Sequence, residues 1–161
     1  PPLDLVSRGW GELCVAAGIL LITVGADFVQ RKTFDAAPFV AGFPYALLAT
    51  NLLYINQFPD RRADIAAGKM HWVARLGVRN ACWGYVLIVL MAYVWLLANV
   101  FIGRLPMSAL LACLALPLSI KSMLLLFRDA AQPQKLTEAI KLTIGAMMLH
   151  GALLSLGLVS G

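Results

Sequence analysis

Five stretches of this sequence are apolar enough and long enough to cross a lipid bilayer: about 11–29, 36–58, 81–101, 106–127 and 137–159. A hydrocarbon core about 30 Å thick needs roughly 20 such residues in a helix, and only a helix satisfies its own backbone there. Hydrophobic residues make up 61% of the 161 and charged residues 13%. Soluble domains average about 45–50% and about 25%. A domain of this length still exposes roughly a third of its unfolded surface, so its core has no room for the excess. A soluble globular domain, a disordered chain and a disulfide-stapled scaffold are set aside. The expected class is all-α, an integral membrane bundle of about five transmembrane helices in the lipid bilayer.

The formal charge of +5 belongs with that class. The connections at 30–35 and 102–105 are short, whereas 59–80 and 128–136 are longer and more charged. Arg8, Arg61, Arg62, Lys69, Arg75, Arg79, Arg128, Lys135 and Lys141 fall on one side. Arg31, Lys32 and Arg104 fall on the other, with Lys121 inside the fourth span. Nine against three places the N-terminus and the 59–80 loop in the cytoplasm, which predicts a multi-pass protein of the cell inner membrane. Membrane topology accounts for the basic surplus, and no nucleic-acid partner is expected. Cys14, Cys82 and Cys113 are far apart, with no C-x-x-C or Cys/His cluster to suggest zinc. The chain starts Pro1-Pro2 with no basic stretch before an apolar one, which reads as a cut inside a longer protein rather than a signal peptide.

One segment carries chemistry: Asn56-Gln57-Phe58-Pro59-Asp60-Arg61-Arg62-Ala63-Asp64, then Ile65-Ala66-Ala67-Gly68-Lys69. Asn56, Asp60 and Asp64 are four apart. Each step on a helix turns about 40° and rises about 6 Å, so the three form one polar stripe. Two carboxylates on a stripe repel unless a cation sits between them, and Mg²⁺ suits one or two carboxylates plus substrate phosphates. Arg61, Arg62, Lys69 and Arg75 offer donors to phosphate oxygens. The plain alternative is a solvated cytoplasmic loop. Against it, the stripe continues from a span already holding Asn51 and Asn56, whose buried amides need partners. Residues 65–76 are also amphipathic, with Met70, Trp72, Val73 and Leu76 available to lie on the membrane over the mouth of a cavity.

The Asn-x-x-x-Asp-x-x-x-Asp run, followed by Ala66-Ala67-Gly68-Lys69 and Val73-Ala74-Arg75-Leu76-Gly77, resembles the second aspartate-rich region of the UbiA-type membrane prenyltransferases. It is most similar to the branch that prenylates dihydroxynaphthoate in menaquinone biosynthesis. Pro1-Pro2-Leu3 with Arg8-Gly9-Trp10-Gly11-Glu12-Leu13 resembles the entry to that branch's fifth helix. The resemblance implies that residues 1–161 are the C-terminal part of one nine-helix domain, helices five to nine. It implies Mg²⁺-dependent transfer of a polyprenyl group from a prenyl diphosphate to a hydroxylated aromatic acceptor. Asp60 and Asp64 would be the catalytic metal ligands, and Asn56, Arg61, Lys69 and Arg75 would bind diphosphate. The family's first aspartate-rich motif is absent from these residues, so a missing N-terminal half is expected to carry it and the 161 residues alone to be inactive. At Met70-His71-Trp72 the chain departs from the family's usual small or basic residue followed by Thr-Leu.

Elsewhere, structural roles are expected. His150 reads as a neutral histidine bonded to a neighbouring helix, and Lys121 as a snorkelling cation. Glu12 and Asp27 read as interfacial groups. Trp10, Tyr54, Trp83, Tyr85, Tyr93 and Trp95 read as interface anchors, Gly18, Gly25 and Gly145 with Ala146 as close-packing points, and Pro117 as a kink. A non-enzymatic reading stays open: a multi-pass transporter fragment or membrane scaffold, for which the 59–80 loop serves topology alone. A prenyltransferase of another quinone or lipid branch also stays open.

Overall fold

Every apolar stretch becomes helical, as backbone satisfaction in a bilayer requires. The structure, a computed structural model, describes Leu5 and residues 9–161. Helix α1 runs Gly11–Arg31, α2 Ala37–Ala66 and α3 Trp72–Phe101. A 3-10 segment, Met107–Ala115, leads into α4, Leu116–Asp129. A short 3-10 turn at Pro133–Lys135 precedes α5, Thr137–Ser160. There is no strand among the described residues, and five helical stretches are long and apolar enough to cross a membrane. Pro1-Pro2-Leu3 and Arg8, which carry part of the resemblance and of the charge count, lie outside the described residues.

The elements differ from expectation in three places. α2 continues past the membrane stretch to Ala66, carrying the charged run on a helix despite Pro59 within it. α3 begins at Trp72 rather than near 81, because His71 caps it: the Ala74 N–H donates to His71 Nδ1 at 3.2 Å. Residues 65–76 are therefore no single amphipathic helix but the end of α2, a turn and the start of α3, and Val73 is buried in the core instead of lying on the membrane. The third difference is at Pro117. The helix changes from 3-10 to α at Leu116, placing the proline in the first turn of α4, where its missing N–H costs nothing. A 3-10 helix rises about 2.0 Å per residue against 1.5 Å in an α-helix, so Met107–Asp129 reaches about 39 Å.

α2 lies at the centre, packed on α1, α3 and α5, while α4 and the 3-10 segment close the bundle against α5 and α3. The core joins Leu48, Ile55, Tyr85 and Leu126. Lipid-facing positions such as Leu21, Leu87 and Leu124 are equally apolar but exposed. The tyrosines hold this interior together rather than anchoring its rims. Tyr54 Oη donates to the Ala81 carbonyl at 3.0 Å. Tyr85 Oη donates to Ser122 Oγ at 3.0 Å and lies 2.8 Å from Thr143 Oγ1, while Ser122 Oγ donates to the Ala139 carbonyl at 2.8 Å. Tyr93 Oη lies 3.5 Å from Ser119 Oγ. Tyr85→Phe is expected to cost about 1 kcal/mol, read as a lower thermal midpoint in detergent. The loss is small because Ser122 and Thr143 keep each other at 2.8 Å.

Close helix approach also falls elsewhere than expected. Gly18 and Gly25 face open space, since α1 touches the bundle along another side, and Gly145 meets only ordinary contact at Leu118. The tight points include Gly84 under Tyr54, Gly151 under Tyr45 and Gly157 against Ser108.

Candidate functional site

Because α2 runs unbroken to Ala66, Asn56, Asp60 and Asp64 stand on one helix at steps of four, on the turns that lead out of the bundle. Asn56 is half-buried and Asp60 exposed. Asp60 makes no hydrogen bond or ion pair among the described residues, so both its oxygens are available. Asp64 is engaged. α2 ends in a tight turn in which the Gly68 N–H reaches the Ile65 carbonyl at 3.0 Å and the Lys69 N–H reaches the Asp64 carbonyl at 2.9 Å. Gly68 sits at φ 78°, a conformation that costs glycine nothing. The turn folds Lys69 back, and its Nζ donates to Asp64 Oδ1 at 2.9 Å. That hydrogen bond holds the Lys69 ammonium above the usual lysine range, with the negative charge of Asp60 adding to the effect.

His71 approaches the other oxygen of Asp64. Its Nδ1 accepts the capping hydrogen bond, which assigns the ring proton to Nε2, and Nε2 lies 3.3 Å from Asp64 Oδ2. This approach falls short of hydrogen-bond geometry. Asp64 is thus flanked by a lysine and a buried imidazole, and Asp60 stands free one turn earlier.

Two of the arginines work on backbone. α3 is interrupted at Gly77 (φ 74°, ψ 160°), so Trp72–Leu76 is a short turn ending in carbonyls of its own. Arg61, half-buried on α2, donates from Nε to the Val73 carbonyl at 3.2 Å and from Nη2 to the Ala74 carbonyl at 3.4 Å. Arg75 Nε donates to the Met70 carbonyl. The structure therefore brings Asp60, Asp64 and Lys69 together, adds Asn56 along the same helix, and places Arg61 and Arg75 as fasteners of the 67–76 segment. His71 and Gln57 were not singled out from sequence. Gln57 is buried and donates from Nε2 to Glu12 Oε1 at 2.7 Å, tying α2 to the first turn of α1. Its signal was present: a glutamine inside an apolar span needs a partner, and Glu12 is the acidic residue at the start of the preceding span.

The remaining candidates have structural surroundings. Lys121 pairs with Glu138 at 3.2 Å, both 60% exposed, and Asp27 pairs with Arg31 at 2.8 Å. His150 is fully buried against the Tyr93 ring, with centroids 5.5 Å apart. Neither of its nitrogens meets full hydrogen-bond geometry among the described residues, and the backbone of Ala112 on the neighbouring 3-10 segment is the group that approaches it.

The donor set fits a magnesium ion. Mg²⁺ takes oxygen ligands and commonly uses one or two carboxylates, with the rest from water and substrate phosphates. Asp60 and Asp64 supply that number, and the free carboxylate of Asp60 has nothing to displace. Among the described residues no group of three or more acid, histidine or cysteine side chains gathers that could hold a metal ion.

The sequence profile of the UbiA prenyltransferase family matches residues 5–150. The chain belongs to the UbiA prenyltransferase family. Within it, UbiA prenyltransferase domain-containing protein 1 of Dictyostelium discoideum is 28% identical over 96 residues, which cover 59% of this chain and 29% of that protein. The chain thus spans less than a third of the curated relative's length. No solved structure matches it significantly. UbiA membership agrees with the helical, membrane-crossing architecture.

Proposed function

We propose that this chain is the C-terminal part of a membrane polyprenyltransferase that moves a prenyl group from a prenyl diphosphate to a hydroxylated aromatic acceptor. Dihydroxynaphthoate of menaquinone biosynthesis is the proposed acceptor, on the resemblance of the 56–77 run to that branch. The observation that carries the reading is the pair Asp60 and Asp64, one turn apart on the emerging end of α2, with Lys69 folded against them. Asp60 and Asp64 would hold Mg²⁺, which when bound neutralises charge building on the leaving diphosphate. Lys69 already sits at the carboxylates and is long enough to turn its ammonium to a phosphate oxygen. Asn56 extends the polar stripe toward the membrane, where the prenyl C1 would lie. Arg61 and Arg75 act indirectly in this reading, by keeping the 67–76 segment over the stripe.

An apolar groove of about 390 Å³ between α1, α2 and α5, lined by Ala41, Tyr45, Met148, Gly151 and Leu154 among others, lies about 22 Å along α2 from Asp60 and suits the far, apolar end of an isoprenoid chain. A missing N-terminal half with the first aspartate-rich motif would complete the cradle. The charge asymmetry supports a cytoplasmic site in an inner membrane.

The test is transfer by the full-length protein in membranes, given prenyl diphosphate and dihydroxynaphthoate, with the prenylated product followed by mass. Product that requires Mg²⁺ and disappears with EDTA is expected. Failure to bind or consume prenyl diphosphate at any Mg²⁺ concentration overturns the enzyme reading in favour of a transporter or scaffold. Turnover with a different aromatic or lipid acceptor overturns the branch alone.

A further inference from the structure

At the same end of the bundle as the α2 stripe, but on another face, α3 and α4 part to leave a groove of about 470 Å³. Arg79, Cys82, Trp83, Phe127, Arg128 and Ala131 line it. Its floor is apolar at buried Cys82, and its walls carry the exposed Trp83 and Phe127 rings, which meet edge to face with centroids 5.2 Å apart. Its rim is cationic. Arg79 is exposed and makes no hydrogen bond or ion pair among the described residues. Arg128 donates from Nε and Nη2 to Asp129 Oδ2 at 3.0 and 2.8 Å. That fixes its guanidinium and leaves Nη1 unused. Asp129 offsets one charge, yet from Lys121 to Lys141 four cations stand against two acids, Asp129 and Glu138, before Arg79 is added.

Apolar positions continue from the groove along both of its helices. Leu87, four residues past Trp83, and Leu124, three before Phe127, are both exposed and continue the two aromatic positions along the same helix faces. A ligand seated here meets guanidiniums at one end, an indole at the depth of headgroups and an apolar track beyond. We infer that the groove binds the headgroup phosphate of an anionic phospholipid from the leaflet on that side, with its acyl chains along Leu87 and Leu124. Two guanidiniums suit a phosphodiester, and basic pockets between membrane helices take anionic headgroups. The choline or ethanolamine of a zwitterionic lipid would bring a cation to the same rim, which selects against it. Inorganic phosphate shares the guanidinium contacts but leaves the apolar track empty. The site does not depend on the reaction proposed above.

The experiment is binding to the purified full-length protein in neutral detergent, with short-chain phosphatidylglycerol, short-chain phosphatidylcholine and inorganic phosphate as separate probes. Phosphatidylglycerol is expected to bind about tenfold more tightly than phosphatidylcholine, a preference set by the two guanidiniums. The double variant Arg79→Gln with Arg128→Gln should lose that preference. Arg104→Gln, at the opposite end of the bundle, should keep it. Equal binding of the two lipids by the unmodified protein overturns the site. Inorganic phosphate competing at the same concentration as phosphatidylglycerol replaces the lipid with a soluble anion and overturns the occupant. Should the double variant fail to fold, a photoactivatable phosphatidylglycerol on the unmodified protein decides the matter. Cross-links in 78–83 and 127–131 are expected, and cross-links confined to other segments overturn the site.

Discussion

Asp60→Ala in the full-length enzyme should lower prenyl transfer at least about a hundredfold while leaving the yield and thermal midpoint of the protein unchanged. On the proposed function, the size follows from removing one of two carboxylates that would position a metal at the leaving diphosphate, where electrostatic stabilisation is commonly worth two to three orders of magnitude. The unchanged midpoint follows from geometry: Asp60 is exposed and makes no side-chain hydrogen bond or ion pair among the described residues, so alanine removes none of these and only the weak, solvent-screened attraction to Lys69. Asp64→Ala should lose as much activity, but it also releases Lys69 at 2.9 Å and the nearby His71, so its loss mixes chemistry with loosening of the segment. Asp60 therefore gives the cleaner measurement. Turnover at the unmodified rate in either variant sinks the assignment of the stripe.

The largest effect on folding should come from Gly157→Ala. A Cβ there would fall on the carbonyl oxygen of Ser108, with the Ser108 carbonyl carbon 2.7 Å away and the Ala109 Cα 2.9 Å away. All three are backbone atoms, which cannot turn aside as a side chain does. The same glycine's carbonyl accepts a hydrogen bond from Ser108 Oγ at 2.6 Å, so pushing α5 off the 3-10 segment also breaks that bond. Overpacking typically costs about 1–3 kcal/mol, and against unyielding backbone the upper end applies, so a marked fall in the thermal midpoint, or loss of folded protein on extraction, is expected. Gly151→Ala provides the contrast: its Cβ would meet the ring of Tyr45, which can rotate, so the fall should be smaller. Equal midpoints for Gly157→Ala and the unmodified protein would show that the two segments do not pack this closely.

Hydropathy made the five helices legible, because in a bilayer an apolar run of this length has a single viable backbone. It could not show where they end. Pro59-Asp60-Arg61-Arg62 reads as the start of a loop, and Gly77 between Arg75 and Arg79 reads as part of one. The helix persists through the first although Pro59, inside α2, gives up the backbone hydrogen bond to the Ile55 carbonyl and crowds it. It resumes before the second because His71 caps it and Arg61 takes its carbonyls, both contacts made across the fold. The 3-10 geometry of Met107–Ala115 was hidden, since a segment apolar on lipid and protein sides alike carries no period to read. Tyr54, Tyr85 and Tyr93 show the same limit: composition cannot distinguish a ring at a headgroup from one bonded between helices. In the candidate site, the alignment of Asn56, Asp60 and Asp64 followed from counting by four. The use of Arg61 and Arg75 did not, because a guanidinium suits a backbone carbonyl as well as a phosphate.

Two glycines in left-handed backbone, Gly68 at φ 78° and Gly77 at φ 74°, bracket residues 69–76, and between them Lys69, His71, Arg61 and Arg75 tie the segment to α2 and to itself. Such a strap has little disorder left to surrender. Ordering a free loop of this length around a ligand costs about 0.5–1.5 kcal/mol for each side chain immobilised, and here most of that has already been met in folding. An anion arriving beside Lys69 would encounter a shaped receptor, so its affinity would reflect the contacts it makes with little deduction for freezing the chain.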